Sequence, residues 1–281
     1  MNIGRFQIEH LSEGIFENHK DGTFNKLAYE DHIQSEENKD YKKVRKIGID
    51  PILIKTGKHN ILVDTGLGWG LDHNSEYTHA SNIVTNLDIF GLTPEDITHV
   101  VLTHLHYDHA GGSTYVDAYF KTQTTLPFAN YFVQKIEWLY ALEQIQNNGG
   151  KNTSRYELDE LYKLEAEYKL VHLTDHTTQL VPGIELIHTG GHTPGHQIVK
   201  IQDEGETAYI FGDLIPDDSH INQYSTKKED IDPLQVVKAK TLLLRKAFEE
   251  NAVLLFYHSI HTKAGRLLKD VDQKYVLEVV K

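Results

Sequence analysis

Residues 99–112 read HVVLTHLHYDHAGG, an apolar strand followed at once by four side chains that can bind a metal ion. The four are His104, His106, Asp108 and His109. Residues two apart in an extended chain point to the same side, so His104 and His106 can face one ion. The turn that follows can direct Asp108 and His109 toward a second ion. Glycine has no Cβ, and the pair 111–112 is expected to let the backbone turn tightly and begin a helix.

Short apolar runs separated by Gly, Pro and Asp predict β-strands on both sides of this stretch. The predicted strands are Ile3–Gln7, Asp50–Lys55, Asn60–Asp64, His99–Thr103, Tyr131–Gln134, Thr178–Val181, Ile184–His188, Gln197–Ile201, Ala208–Phe211 and Val253–Tyr257. Apolar residues at helical spacing, and capping residues, predict helices between them. The predicted helices are a short one from Pro94, then Ile136–Gln146, Tyr156–Tyr168 and Asp232–Glu250. Potential ligands therefore follow strand ends, a common place for functional groups.

The polar segment Glu17–Lys46 does not follow this alternation and is expected to be a long surface loop with some helix. It can act as a lid, as a dimer contact or only as a loop. A homodimer is one possible assembly.

Composition restricts the kind of protein this is. The 281 residues can bury a substantial core, and the formal net charge is -13. This charge argues against a nucleic-acid partner, since phosphate binding needs clustered Lys and Arg. The longest apolar run, Ala252–Tyr257, is too short to cross a membrane, and the N-terminus has no signal-peptide pattern. There are no cysteines, so any metal must be bound by nitrogen and oxygen, and a cytoplasmic location is expected.

The sequence THLHYDHAGG at residues 103–112 closely resembles the signature of the metallo-β-lactamase superfamily. Residues 63–66, which read VDTG, resemble the Asp-Thr-Gly turn of the same family. The resemblance covers nearly the whole chain. It implies an α+β fold, a four-layer αββα sandwich, formed by residues 1–281 as a single domain of two similar halves. It also implies two divalent metal ions in the cleft between the strand ends of the two halves.

The family pattern implies three further ligands downstream. They are His192 in TGGHTPGH at residues 189–196, Asp213 after the strand Ala208–Phe211, and His258 at the end of the strand Leu254–Tyr257. The residues expected to bind the first ion are His104, His106 and His192. Those expected to bind the second are Asp108, His109 and His258. Asp213 is expected to bridge the two ions.

Other residues have supporting parts in the same pattern. Asp64 is expected to orient a ligand histidine, and His196 to make a structural hydrogen bond. His220 lies in a loop expected to border the cleft, and it is a candidate catalytic residue or substrate contact. Asp108 is the other candidate catalytic residue, because a carboxylate beside the reacting water can carry its proton to the leaving group. Imidazole and carboxylate suit Zn²⁺, the expected ion, and also Mn²⁺, Fe²⁺ or Co²⁺.

Two such ions lower the pKa of water toward neutrality and polarise the group under attack. This chemistry predicts a hydrolase with a small-molecule substrate. The layout, including GDLIP at residues 212–216, resembles the acyl-homoserine-lactone lactonase and quorum-quenching branch of the family. The leading hypothesis is a lactonase, in which hydroxide that bridges the ions attacks the ester carbonyl of a lactone.

Several alternatives remain open. Phosphotriester (organophosphate) or thioester hydrolysis at the same site is the main one. The resembling lactonases have a tyrosine three residues after the bridging aspartate, where this chain has Pro216, so His220 or Tyr224 takes that role or the substrate differs. A redox member of the fold is a remote alternative, since flavodiiron proteins usually have a glutamate at the position of His106 and an appended flavodoxin domain. A non-catalytic member is remote too, because such members lose ligands and this chain keeps them all.

Overall fold

The computed structural model describes residues 1–19, 23–27, 45–147, 155–158 and 161–280. In chain order its strands are β1 (Asn2–Ile3), β2 (Phe6–His10), β3 (Gly14–Asn18), β4 (Phe24–Leu27), β5 (Arg45–Ile49), β6 (Ile52–Lys55), β7 (Asn60–Val63), β8 (His99–Val101), β9 (Thr114–Val116), β10 (Thr122–Thr124), β11 (Asn130–Gln134), β12 (Leu170–Leu173), β13 (Thr177–Val181), β14 (Ile184–His188), β15 (Gln197–Asp203), β16 (Glu206–Ile210), β17 (Val253–Leu255), β18 (Ala264–Lys269) and β19 (Tyr275–Val279). The α-helices are α1 (Ile83–Ile89), α2 (Tyr107–Ala110), α3 (Lys135–Asn147), α4 (Tyr162–Ala166) and α5 (Pro233–Glu249).

Two mixed sheets of seven strands lie at the centre of the fold. The first has the order β1-β2-β6-β7-β8-β11-β12 and the second the order β13-β14-β15-β16-β17-β18-β19. In the first sheet β7, β8, β11 and β12 run parallel to one another, and β7 is antiparallel to β6. In the second only β16 and β17 are a parallel pair. Two smaller sheets, β9-β10 and β4-β3-β5, are added at the periphery.

Alternate side chains of the strands pack into different layers, as the pleat requires. In β6, Ile52 packs in the core between the two sheets, whereas Leu53 packs against α1 and α3 on the outer face. In β17, Val253 faces the core between the sheets and Leu254 packs with α5. All four side chains are fully buried, and each contributes roughly 1.5–3 kcal/mol of transfer free energy.

The layers therefore run helix, sheet, sheet, helix. Ile83 and Leu87 of α1, Trp138 of α3 and Leu164 of α4 belong to the cluster on the first sheet. Val236, Ala239, Leu244 and Ala247 of α5 belong to the cluster on the second sheet. The α+β four-layer αββα sandwich predicted from the sequence is confirmed.

Helix α5 begins at Pro233, one residue after the predicted start at Asp232. Asp232 accepts a hydrogen bond from the backbone N–H of Gln235 at 3.0 Å, and Pro233 follows in the first turn, where an N–H has no partner to lose. The helix predicted from Pro94 is a single 3-10 turn over Pro94–Asp96, fixed by the reciprocal capping of Thr93 and Asp96.

Two predictions about the N-terminal part are wrong. The strand predicted over Ile3–Gln7 is two strands, because Gly4 has a φ of +54° and turns the chain back on itself. The segment Glu17–Lys46, predicted as loop with some helix, has strand at both of its ends and in β4, which join into the β4-β3-β5 sheet. Phe16 of β3 and Phe24 of β4 anchor that sheet to a separate small core. Residues 20–22 and 28–44 lie outside the described residues.

Parallel strand pairs bring distant parts of the chain to one edge of each sheet. Because β7 and β8 are neighbouring and parallel, Asp64 after β7 lies beside the segment that follows β8. Because β16 and β17 are neighbouring and parallel, the residues after both strands, including Asp213 and His258, leave the second sheet at the same edge. This topology brings the potential ligands together although they are far apart in the sequence.

Gly112 allows the close approach of two of these segments. A Cβ built on it would lie 2.1 Å from the carbonyl oxygen of Thr65. The backbone of Gly111 is helical, with a φ of -60°. The pair was predicted to allow a tight turn before a helix, but α2 comes before it, and the glycines are needed for close packing instead.

Among the described residues, no helix combines the length and the apolar character that crossing a membrane would require.

Candidate metal centre

The first group of potential ligands consists of His104, His106 and His192. The Nδ1 atom of His106 lies 2.9 Å from Nε2 of His104 and 3.3 Å from Nε2 of His192. His104 and His192 are fully buried, and His106 is nearly so. Three imidazole nitrogens therefore converge on one point, as the sequence predicted for the first ion.

The second group consists of Asp108, His109 and His258. Nε2 of His109 lies 3.1 Å from Nε2 of His258 and 3.9 Å from Oδ2 of Asp108. The same aspartate oxygen lies 3.6 Å from Nε2 of His258. These atoms form a second compact set of nitrogen and oxygen donors, which is the arrangement predicted for the second ion.

Asp213 lies between the two groups. Its Oδ2 atom is 3.1 Å from Nε2 of His192, while its Oδ1 atom is 3.3 Å from Nε2 of His109 and 3.1 Å from Nε2 of His258. Oδ1 is buried and has no hydrogen-bond partner within the described part of the chain. A buried carboxylate oxygen that makes no well-formed hydrogen bond is costly, and a cation between it and the neighbouring imidazole nitrogens would satisfy it. The position of Asp213 fits its predicted role as the bridging ligand.

The protonation of the imidazoles also fits a metal. Burial lowers the pKa of His106 to about 3 and lowers the pKa of His104 and of His192 well below its ordinary value. These three rings are therefore neutral at neutral pH, with a lone pair free for a cation. In the described residues, nitrogen and carboxylate oxygen are the only ligand types in the two groups, a donor set that suits Zn²⁺ and other divalent transition ions.

The pKa of His109 is shifted in the opposite direction, because two carboxylates lie beside its ring. Burial on its own would lower its pKa, but Asp64 and Asp108 outweigh burial and raise the pKa of His109 above its ordinary value. Oδ2 of Asp64 lies 2.8 Å from Nδ1 of His109, as predicted for an acid that orients a ligand. Asp64 also accepts hydrogen bonds from the backbone N–H and the hydroxyl of Thr103. The proton that a metal ion must displace from His109 is therefore the one on Nε2.

Two further ligand histidines are oriented by groups that the sequence did not reveal. Oδ1 of Asp230 lies 2.9 Å from Nδ1 of His192, and the carbonyl oxygen of Gly48 lies 2.8 Å from Nδ1 of His258. Asp230 belongs to the run KKED at residues 227–230, which has the composition of an ordinary surface loop. Nothing in the sequence distinguishes it from the acids around it.

Lys227 is another residue that the sequence analysis missed. Its Nζ atom donates a hydrogen bond of 2.6 Å to Oδ2 of Asp213. Burial by itself would raise the pKa of Asp213, but Lys227 and His192 outweigh burial and hold that pKa well below its ordinary value. Asp213 is therefore a carboxylate, as a bridging ligand must be.

His196 has the structural role that was predicted for it. Its Nε2 atom accepts a hydrogen bond of 3.1 Å from the backbone N–H of Asp213, and its Nδ1 atom lies 2.8 Å from the hydroxyl of Thr189. His196 therefore connects the turn that carries His192 with the turn that carries Asp213.

His220 is not joined to the ligand groups by any hydrogen bond or ion pair between described residues. Its Nδ1 atom lies 2.6 Å from Oδ1 of Asp217 and 3.1 Å from the hydroxyl of Ser219. Asp217 is thereby the main partner of this imidazole, and it also lies 3.4 Å from Arg45. The catalytic role of His220 stays a prediction.

A cavity of about 510 Å³ borders the helix that carries Asp108 and His109. Tyr107 of that helix lines it, as do Trp69 and Tyr77, whose rings stack with centroids 3.9 Å apart. The volume lies in the range of small-molecule sites. Space for a small molecule therefore exists next to the ligand-bearing helix.

Glu13 supports the turn after β7 and makes stability depend on pH. Its Oε2 atom accepts a hydrogen bond of 2.8 Å from the backbone N–H of Leu67. Burial raises the pKa of Glu13 to about 8, so the folded protein holds a proton that the unfolded chain releases near pH 4.5. The free energy of unfolding therefore falls as the pH rises between these values and is level above about pH 8.

We expect Glu13→Gln to remove this part of the pH dependence, because an amide cannot ionise. The variant should be more heat-stable than the wild type at pH 8 and similar to it at pH 4.5. Thermal unfolding followed by circular dichroism over this pH range measures the effect. Glu95→Gln, which changes an exposed glutamate, is the matched control and should follow the wild type. Parallel curves for Glu13→Gln and the wild type would show that Glu13 does not hold the proton.

Comparison with known proteins places this centre in a family. Residues 47–273 match the family model described as "Metallo-beta-lactamase superfamily". Among curated proteins, an N-acyl homoserine lactonase from Bacillus cereus is 31% identical over 166 residues, which are 54% of this chain and 57% of that protein. The chain thus spans little more than half the length of the curated relatives of this kind.

Solved structures show the same fold over the full length. A probable metal-dependent hydrolase from Staphylococcus aureus is 27% identical, with all of both chains covered and a TM-score of 0.76. AidC, a dizinc quorum-quenching lactonase, is 21% identical with a TM-score of 0.73, over 100% of this chain and 96% of its own. At that identity the likeness to AidC shows the fold alone.

Proposed function

The chain belongs to the metallo-β-lactamase superfamily, and from that premise we propose that it is a dinuclear metal-dependent hydrolase that opens a lactone ring. The observation that carries the proposal is the position of Asp213 between two groups of three ligands. A non-catalytic member would be expected to lack part of this set. The lactone is favoured because the curated relatives include N-acyl homoserine lactonases.

Two divalent ions, expected to be Zn²⁺, would supply Lewis acidity toward water and toward the ester carbonyl. His104, His106 and His192 would hold one of them, and Asp108, His109 and His258 the other. All of these side chains are buried or nearly so. The rings of His109, His192 and His258 are held in orientation by oxygen atoms at their Nδ1 atoms before any ligand arrives. Such preorganisation reduces the reorganisation needed during the reaction.

Asp108 is the proposed proton carrier. Burial on its own would raise its pKa, but His109 and His258 outweigh burial and lower it, so the carboxylate is ionised at neutral pH. It can take a proton from water as the water oxygen bonds to the lactone carbonyl carbon. It can then give that proton to the alkoxide released when the ring C–O bond breaks. Tyr257 holds this segment by donating a hydrogen bond of 2.8 Å to the carbonyl oxygen of Asp108.

The proposal is tested with a panel of acyl-homoserine lactones, thioesters and phosphotriesters. Protein loaded separately with zinc, manganese and cobalt should hydrolyse the lactones with the highest kcat/KM. Activity confined to phosphotriesters or thioesters would contradict the proposed lactone substrate, but the proposed hydrolase activity would stand. Absence of turnover on the whole panel, in protein that contains two ions per chain, would favour a non-catalytic member.

A further inference from the structure

Lys227 is a buried cation at the metal centre, and the described residues use only part of its hydrogen-bonding capacity. Its side chain is 6% exposed, and its ammonium group has three N–H donors. Within the described residues, Oδ2 of Asp213 is the one acceptor at hydrogen-bond distance from Nζ. A buried donor without an acceptor is costly, so the two N–H groups that have no acceptor among the described residues are suited to bind an oxygen of a ligand.

Asp230 connects the loop that carries Lys227 to the first group of ligands. The backbone N–H of Lys227 donates a hydrogen bond of 2.6 Å to Oδ2 of Asp230. The other oxygen of Asp230 lies 2.9 Å from Nδ1 of the ligand His192. One carboxylate therefore fixes both the ligand imidazole and the residue whose ammonium reaches Asp213. Hydrogen bonds of the surrounding loop therefore fix the position of the ammonium group.

His220 and Tyr224 were the candidates from the sequence for the role of the tyrosine that Pro216 replaces. Neither forms a hydrogen bond or ion pair with a metal ligand among the described residues. Tyr224 is 70% exposed. The ring of His220 is paired with Asp217 and not with any ligand that the structure describes. Lys227, in contrast, contacts the bridging ligand itself.

We propose that Lys227 binds the carbonyl oxygen of the substrate and the carboxylate of the ring-opened product, and so replaces the missing tyrosine; this rests on the lactonase function proposed above. Lys227 and divalent ions compete for the same oxygen of Asp213, since both are cations. A bound ion therefore leaves the ammonium free to donate to an oxygen of the substrate. A charged donor at this point favours substrates with an exposed carbonyl or an anionic product.

The test compares Lys227→Met with the wild type and with Lys228→Met, which alters the exposed neighbouring lysine. Zinc content is measured by elemental analysis, and binding of N-hexanoyl-L-homoserine, the ring-opened product, by calorimetry. We expect Lys227→Met to keep two zinc ions per chain but to bind the product about 10- to 100-fold more weakly, the usual effect of losing a hydrogen bond to a charged group. Its KM for N-hexanoyl homoserine lactone should rise as well, and Lys227→Arg should recover part of both.

Each outcome decides the role of Lys227. Equal product binding and KM in Lys227→Met and Lys228→Met overturn the proposal. Loss of zinc from Lys227→Met overturns it too, because Lys227 then holds Asp213 and not the substrate. If Lys227→Met does not fold, Lys227→Gln takes its place. Unchanged product affinity in Lys227→Gln overturns the proposal, and reduced product affinity supports it. If the zinc-loaded wild type neither binds the product nor opens the lactone, the lactonase function fails, and this role fails with it.

Discussion

Asp108→Asn should lose hydrolysis by at least about 10³-fold, since the change removes both a negative ligand and the proposed proton carrier, and several kcal/mol of transition-state stabilisation depend on them. The second group of ligands is left with His109 and His258 as its strong donors. We therefore expect one tightly bound zinc ion per chain instead of two. The fold should persist, because asparagine matches aspartate in shape and the hydrogen bond from Tyr257 goes to the backbone oxygen of residue 108.

Elemental analysis and kcat/KM on the best substrate of the panel measure this effect, with circular dichroism to check the fold. Asp88→Asn, which makes the same chemical change on the exposed side of α1, is the matched control. Two zinc ions and wild-type turnover in Asp108→Asn would contradict both the ligand assignment and the catalytic one. Loss of zinc with full turnover would contradict the requirement for two ions.

Asp230→Ala should weaken zinc binding by about 10- to 100-fold, the usual effect of removing a carboxylate that orients a ligand histidine. Asp230 keeps the proton of His192 on Nδ1, which leaves the lone pair of Nε2 directed at His106 and Asp213. Without it the ring can rotate or change tautomer. Hydrolysis should fall in parallel, because the first ion would be bound less firmly.

Competition with a chromophoric chelator measures the zinc affinity of this variant. Asp230→Asn should lose less, because its amide oxygen can still accept the hydrogen bond from Nδ1 of His192. Asp272→Ala, at an exposed turn between β18 and β19, is the control for removal of an aspartate. Zinc affinity in Asp230→Ala equal to that of the wild type would show that the contact with His192 has no part in metal binding.

The two substitutions test different ions. Asp108→Asn changes the second group of ligands, and Asp230→Ala changes the support of the first group. In each group a buried carboxylate orients a ligand imidazole, Asp230 in the first and Asp64 in the second, so a single substitution changes the affinity for one ion. Measuring zinc content together with turnover separates the loss of an ion from the loss of a catalytic group.

Much of this arrangement is local, and local features can be read from a sequence. The spacing from His104 to His109 determines that these side chains leave one strand end together, whatever surrounds them. The unbroken apolar runs in β6 and β17 predict strands buried on both faces, which require layers on both sides. Asp232 and Pro233 begin α5 through contacts within four residues. Each of these features depends on neighbours in the chain, so the sequence alone determined them.

Other contacts depend on how segments that are distant in the chain meet, and only the tertiary structure decided them. Asp230 reaches His192 across 38 residues, and the carbonyl of Gly48 reaches His258 across 210. Lys227 lies 14 residues after Asp213, in a loop with no periodicity to indicate where its side chain points. The physical reason is that the direction of a loop side chain is set by the strands on which the loop is mounted. Here those are the neighbouring parallel strands β16 and β17, whose adjacency no local pattern records.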